Sequence, residues 1–193
     1  MIKKRVITSL FLFLLLILTL RYESILLITC LILGVLSIIE LFNLSVRIFK
    51  NKLFLFVTNL FFFIYIFLFF CSFVFMSSYL QFKFLLFLLL IGCIASDLGG
   101  YIFGKIFKGP KLTNISPNRT YSGAFGSAIF TIIIFLGFSY YLVTFPLIKI
   151  FFLAISTSIL CQIGDLFVSF LKRKAKVKNT GNILPGHGGI LDR

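Results

Sequence analysis

Two stretches of this chain, residues 53–80 and 121–148, each run for 28 residues without a charged side chain. About 20 predominantly apolar residues are enough for a helix to cross a bilayer, so each run is long enough to span with tilt or a turn. Four further apolar runs, residues 6–20, 25–39, 84–96 and 150–164, are shorter. A 15-residue helix reaches only about 22 Å against a hydrocarbon core of about 30 Å. Those helices must extend into their flanks, thin the bilayer or pack inside the protein. Charged residues make up 12% of the chain, roughly half the share of a soluble domain, and hydrophobic ones 60%. With apolar runs along the whole length, a soluble domain on one anchor is excluded. The expected fold is all-α: a polytopic membrane bundle of about six transmembrane helices with cytoplasmic loops.

The opening Met1-Ile2-Lys3-Lys4-Arg5 before an apolar run has the start of a signal peptide. No small-residue cleavage site follows, Arg21 and Glu23 come next, and more spans follow, so this segment is expected to be a retained first span. Net charge is +14, and the cations cluster at residues 3–5, at Arg47, Lys50 and Lys52, at residues 105–119 and at residues 172–193. Lys and Arg accumulate in short cytoplasmic loops. Placing every cluster inside gives six spans, both ends cytoplasmic, and outer loops near Arg21, Tyr79 and Lys149. Nucleic acid is not an expected partner, because membrane topology accounts for the charge. Cys30, Cys71, Cys93 and Cys161 each stand alone within apolar runs and read as small buried side chains. No pair has metal-ligand spacing, so neither zinc nor a disulfide is expected.

The chain has only five acids: Glu23, Glu40, Asp97, Asp165 and Asp192. Carboxylates in or beside a membrane are costly and mark functional positions with partners. Glu23, beside Arg21, reads as a solvated turn residue. Glu40, near the inner end of the second span, is expected to pair with Arg47 about two helical turns on. Asp97 closes the fourth span and shares a helix face with Tyr101, Gly104 and Lys108. Gly100 and Gly104 form a small-xxx-small pair suited to close helix packing. The loop over residues 109–123 joins turn formers to Thr113, Ser116, Asn118, Arg119 and Thr120, a mixture suited to a positive-inside loop or to a polyphosphate. Asp165, Ser169, Lys172 and Lys176 fall at offsets 0, 4, 7 and 11, one face of a helix leaving the membrane. An acid at the membrane end and cations at the wet end suit a metal-held phosphate, or a snorkelling interfacial helix. The last segment contains Pro185-Gly186-His187-Gly188-Gly189, a backbone able to approach a ligand closely, and the chain's only histidine.

These motifs resemble the phosphatidate cytidylyltransferase family (CDP-diacylglycerol synthases). That family's signature runs Ser, two residues, Lys-Arg, four residues, Lys-Asp, then Pro-Gly-His-Gly-Gly-x-x-Asp-Arg-x-Asp. Here it reads Ser169, Lys172-Arg173, Lys178-Asn179, Pro185-Gly186-His187-Gly188-Gly189 and Asp192-Arg193, preceded by a matching Gly164-Asp165-Leu166. Asp97, Gly100-Tyr101, Gly104-Lys105, Ser116-Pro117 and Thr120 resemble the family's upstream loop. The likeness covers roughly residues 96–126 and 161–193, so residues 1–95 are expected to be membrane helices without motif and 96–193 the catalytic region. Asn179 replaces the pattern's aspartate, Tyr121-Ser122 replaces an aromatic-acid pair, and the final acid would fall two residues beyond Arg193.

The resemblance implies transfer of CMP from CTP to phosphatidic acid in a bacterial inner membrane, with the site on the cytoplasmic side. It implies Mg²⁺ as cofactor, held by Asp165 and Asp192, with room for a second monovalent or divalent cation. Asp97 would stand near the metal. Lys172, Arg173 and Arg193 would contact phosphates, His187 would orient one, and Ser116, Asn118, Arg119, Thr120, Ser169 and Lys178 would complete the substrate contacts. With Asn179 in place of an aspartate and only a terminal carboxylate where the pattern has its final acid, a raised Mg²⁺ requirement is expected. A homodimer stays open, as do a cytidylyltransferase for another membrane lipid and a non-catalytic scaffold or transporter derived from the family.

Overall fold

The computed structural model describes residues 2–113, 116, 119–138, 146–183 and 188–192, with backbone alone at residues 2–6, 9, 20 and 81. These residues form six helices: α1 (Ile2–Arg21), α2 (Glu23–Ile48), α3 (Lys52–Ser77), α4 (Leu80–Phe107), α5 (Tyr121–Gly137) and α6 (Leu147–Lys174). Among the described residues, α2, α3, the Phe82–Phe107 part of α4, and α6 are long and apolar enough to cross a membrane. The stretch of α1 whose side chains are described without interruption, Leu10–Thr19, and the 17-residue α5 are shorter. The short apolar runs are lengthened by extension into their flanks: α2 carries on through Glu40 and Arg47, and α4 carries Asp97 to Lys105. Residues 121–148 are not one helix, since α5 stops at Gly137 and α6 starts at Leu147. Lys149, expected in an outer loop, therefore lies in the first turn of α6.

Two compact units divide the chain: Met1–Leu80 with Leu171–Arg193, and Gln81–Phe170. In the first unit α2 and α3 form a helical hairpin across a short turn, where Asn51 caps α3 by accepting from the Leu53 amide at 3.0 Å. Leu41, Leu44, Ile66, Leu171 and Ala175 make a buried cluster there. Of the residues of α3, only Ile66 and Ser77 are buried; Phe62 and Phe70 pack against that cluster, while Phe54, Phe56, Phe61, Phe63, Phe67, Phe69 and Phe75 face outward. A surface this apolar belongs in lipid. The chain ends α6 with a Schellman turn: Val177 N–H donates to Lys172 O at 3.0 Å and Lys176 N–H to Arg173 O at 3.1 Å. Lys176 has a left-handed φ of 55°. It lies past the helix end, so the polar face expected to include it stops at Lys172; Lys108, at φ 51°, is likewise outside α4.

In the second unit α4 and α5 cross at close range. A Cβ on Gly123 would come within 2.8 Å of Gly100 O, and one on Gly126 within 2.7 Å of Gly99 O. Ser127 Oγ donates to Ser96 O across this crossing at 2.8 Å. The small-residue pair expected to pack closely does so, against small residues of α5. Leu88, Phe135, Ile150 and Ala154 form this unit's buried cluster. All four cysteines are free; Cys30 is buried, but Cys71 is exposed, because α3 turns that face outward. Cys93 and Cys161, read from sequence as isolated, face each other with sulfurs 2.9 Å apart.

Candidate active site

The second unit gathers three of the expected site residues. Asp97 lies on α4, Asp165 on α6, and Arg119 at the end of the loop entering α5. The loop is closed by Leu112 N–H donating to Arg119 O at 2.8 Å, Arg119 N–H donating to Ser116 O at 3.0 Å, and a bridge between Lys111 and Thr120. Thr120 caps α5, its hydroxyl oxygen accepting from the Gly123 amide at 3.1 Å. The glycine crossing then brings the Arg119 guanidinium onto α4. A Cβ on Gly100 would stand 3.1 Å from Arg119 Nη1, so that glycine leaves room for the arginine as well as for the helix. Arg119 Nη2 pairs with Asp97 Oδ1 at 3.2 Å and also with Asp165 Oδ2. Burial works against its charge, but Asp165 and then Asp97 more than offset this and hold Arg119 above its ordinary pKa. The Asp97 side chain is 70% exposed and that of Asp165 45%, so both are open to a ligand.

The second centre lies in the first unit. Asp192 Oδ1 accepts from Lys172 Nζ at 2.7 Å. Its Oδ2 accepts from Thr180 N–H at 2.9 Å, Thr180 Oγ1 at 3.2 Å and Gly189 N–H at 3.0 Å. Burial tends to raise the Asp192 pKa, yet the bonds from Lys172, Gly189 and Thr180 prevail and hold it below the ordinary carboxylate value. The glycines of the terminal motif serve this network. Gly188 has φ 97°, and a Cβ there would meet Asp192 Oδ2 at 2.7 Å. Asn179 flanks the same turn, its side-chain carbon 3.5 Å from that Cβ position.

Glu40 is the residue that sequence reasoning placed wrongly. Among the described residues it forms no ion pair with Arg47; it is 2% exposed and faces the C-terminal segment instead. Its carboxylate accepts from Thr180 Oγ1 at 2.7 Å, Ile190 N–H at 2.8 Å and Leu191 N–H at 3.0 Å. Thr180, never singled out in the sequence, donates to both Glu40 and Asp192. The scarcity of acids was the signal available for Glu40; nothing local marked Thr180.

Of the other expected residues, Ser116 lies in the loop, Ser169 stands one turn after Asp165 on α6, and Arg173 and Lys178 are exposed. Asn118, His187 and Arg193 lie outside the described residues. No group of three His, Cys, Asp or Glu side chains gathers for a metal among the described residues. Asp97 and Asp165 nonetheless fit a hard cation, because one oxygen of each already converges on a single positive nitrogen. Asp192 has both oxygens engaged, and a cation there would compete with Lys172 at Oδ1.

A set of apolar, lipid-facing helices, two of which carry acids that share one arginine, defines a polytopic membrane protein. The chain belongs to the Cytidylyltransferase family, whose profile matches residues 2–193. Relatives named phosphatidate cytidylyltransferase include those of Helicobacter pylori (strain ATCC 700392 / 26695), 39% identical over 111 residues, and Bacillus subtilis (strain 168), 41% identical over 101 residues. A third, from Staphylococcus epidermidis, is 42% identical over 113 residues. The matches cover 54%, 51% and 58% of this chain and 40%, 38% and 43% of the respective relatives. The chain thus spans about two-fifths of the length of the curated relatives it matches.

Proposed function

We propose that this protein is a phosphatidate cytidylyltransferase, making CDP-diacylglycerol and pyrophosphate from CTP and phosphatidic acid on the cytoplasmic face of a bacterial inner membrane. The observation that carries this is the convergence of Asp97 and Asp165 on one cation, Arg119, in a family whose relatives bear that name. A phosphate oxygen of phosphatidic acid attacks the α-phosphorus of CTP. The bond from that phosphorus to the bridging oxygen of the β-phosphate breaks, and pyrophosphate leaves with the electron pair. The attacking phosphate is already anionic, so no side chain need remove a proton, and positioning and charge neutralisation dominate.

Asp165 with Asp97 would hold Mg²⁺, which when bound neutralises charge on the phosphates. Arg119, released from the two acids, pairs with a phosphate through its planar fork. Lys172 stands 2.7 Å from Asp192 and is set to exchange that carboxylate for a phosphate oxygen, leaving Asp192 Oδ1 open to a cation. Arg173, Lys178 and Arg193 add positive charge, and His187 orients a phosphate. Ser116, Asn118, Thr120 and Ser169 complete the polar contacts.

The test is direct. Reconstituted protein with Mg²⁺, radiolabelled CTP and phosphatidic acid should give a chloroform-soluble cytidylyl lipid, and EDTA should stop it. Product from ATP but not CTP refutes the assignment. Other lipid acceptors, assayed side by side, decide whether phosphatidic acid is the preferred one.

A further inference from the structure

The last two turns of α2 present Glu40, Asn43 and Arg47, at i, i+3 and i+7, to the segment that follows α6. Glu40 grips that segment through Thr180, Ile190 and Leu191. Next to this grip lies a cavity of about 520 Å³, its polar lining drawn from Asn43, Arg47, Asn179, Thr180, Gly181 and Asn182. The volume is that of a small-molecule site. Among the described residues the side chains of Arg47, Asn43, Asn179 and Asn182 form no hydrogen bond or ion pair, and all four residues are exposed where they line this space. Among the described residues no carboxylate lines it: Glu40 is turned into its three backbone and hydroxyl partners, and Asp192 into Lys172, Thr180 and Gly189. The lining is therefore cationic and rich in both donors and acceptors, which excludes a metal ion and suits an anion that also carries ester oxygens or hydroxyls.

We infer that this cavity is a phosphate-ester site, in which Arg47 bonds phosphate oxygens and Asn43, Asn179 and Asn182 take the remaining oxygens and hydroxyls. The site gives the motif-free α2 a part in ligand recognition. Two substrates carry the required chemistry, the lipid phosphomonoester and the nucleotide, and here the inference rests on the cytidylyltransferase reading.

Binding of CTP and of dioctanoyl phosphatidic acid to the full chain in nanodiscs separates the two. Arg47→Gln removes a charged partner and should weaken one or both ligands by about ten- to a hundredfold, Arg47→Lys by less. Asn182→Ala, at an exposed position, should weaken the same ligand with an unchanged melting temperature, and so serves if Arg47→Gln fails to fold. A loss confined to phosphatidic acid identifies the lipid headgroup, a loss confined to CTP the nucleotide, and a loss of both a shared phosphate seat. Binding of both ligands within twofold of wild type in folded Arg47→Gln and Asn182→Ala overturns the site. Arg47-dependent binding in a protein that makes no cytidylyl lipid would leave the site standing and remove the enzymatic reading; turnover without that dependence would do the reverse.

Discussion

Replacing Glu40 tests how the C-terminal motif is held. Oε1 accepts from Ile190 N–H, and Oε2 from Leu191 N–H and Thr180 Oγ1. In Glu40→Gln an amide nitrogen must replace one of those oxygens. The cheaper orientation puts it at Oε1, losing one bond and setting two donors face to face. A hydrogen bond to a charged group contributes about 1.5–3 kcal/mol, so transient release of the segment should rise about ten- to a hundredfold. Glu40→Ala removes both acceptor oxygens and with them all three bonds, at a summed cost of about 5 kcal/mol or more, comparable to the whole stability of a small domain. The segment would then detach and take with it Gly189 and Asp192, whose carboxylate accepts from Gly189, Thr180 and Lys172. Hydrogen exchange at Ile190 and Leu191 reads this directly: faster in Glu40→Gln, at the solvent-exposed rate in Glu40→Ala, with α4 unchanged as control. Exchange within twofold of wild type in Glu40→Ala would show that these three bonds do not hold the segment.

Asp165→Asn should cut turnover by at least the roughly hundredfold that outer-shell metal partners cost, with the protein still inserted; near-native activity refutes its role at a metal. Asp192→Asn should also lose turnover by orders of magnitude and, unlike Asp165→Asn, should speed exchange at Gly189, because it weakens the bonds from Lys172, Thr180 and Gly189. The Asp192 pKa is depressed in the folded protein, so its contribution is complete above the ordinary carboxylate value of about 3.9 and is lost as pH falls through the lower, folded value. Exchange at Gly189 should accordingly keep its protection near pH 5 and lose it only in more acid solution; loss already at pH 6 would assign the effect to another group. On a cysteine-free background, Lys111→Cys and Lys176→Cys should label only from the cytoplasmic side and Tyr22→Cys only from outside, and labelling of positions 111 and 176 from opposite sides breaks the proposed topology.

What local physics controls could be read from the chain directly. Charge-free runs define where helices lie, because backbone in lipid must bond itself. Where the helices stop was not legible: Lys176 was placed on the polar face of α6, but the turn after Lys174 ends that helix first. Asp97 and Asp165 stood out because a carboxylate at a membrane edge is costly without a partner. The partners themselves were not legible. Arg119 reaches both acids only because Gly99, Gly100, Gly123 and Gly126 let α4 and α5 cross at backbone distance. Cys93 and Cys161, 68 positions apart, face each other for the same kind of reason, through helix packing rather than spacing. Glu40 looked like the helical neighbour of Arg47, since seven residues is two turns, but its partner lies 140 residues on at Thr180. Periodicity says which face of a helix is polar; the shapes of the packed helices and the path of the returning chain decide what that face meets.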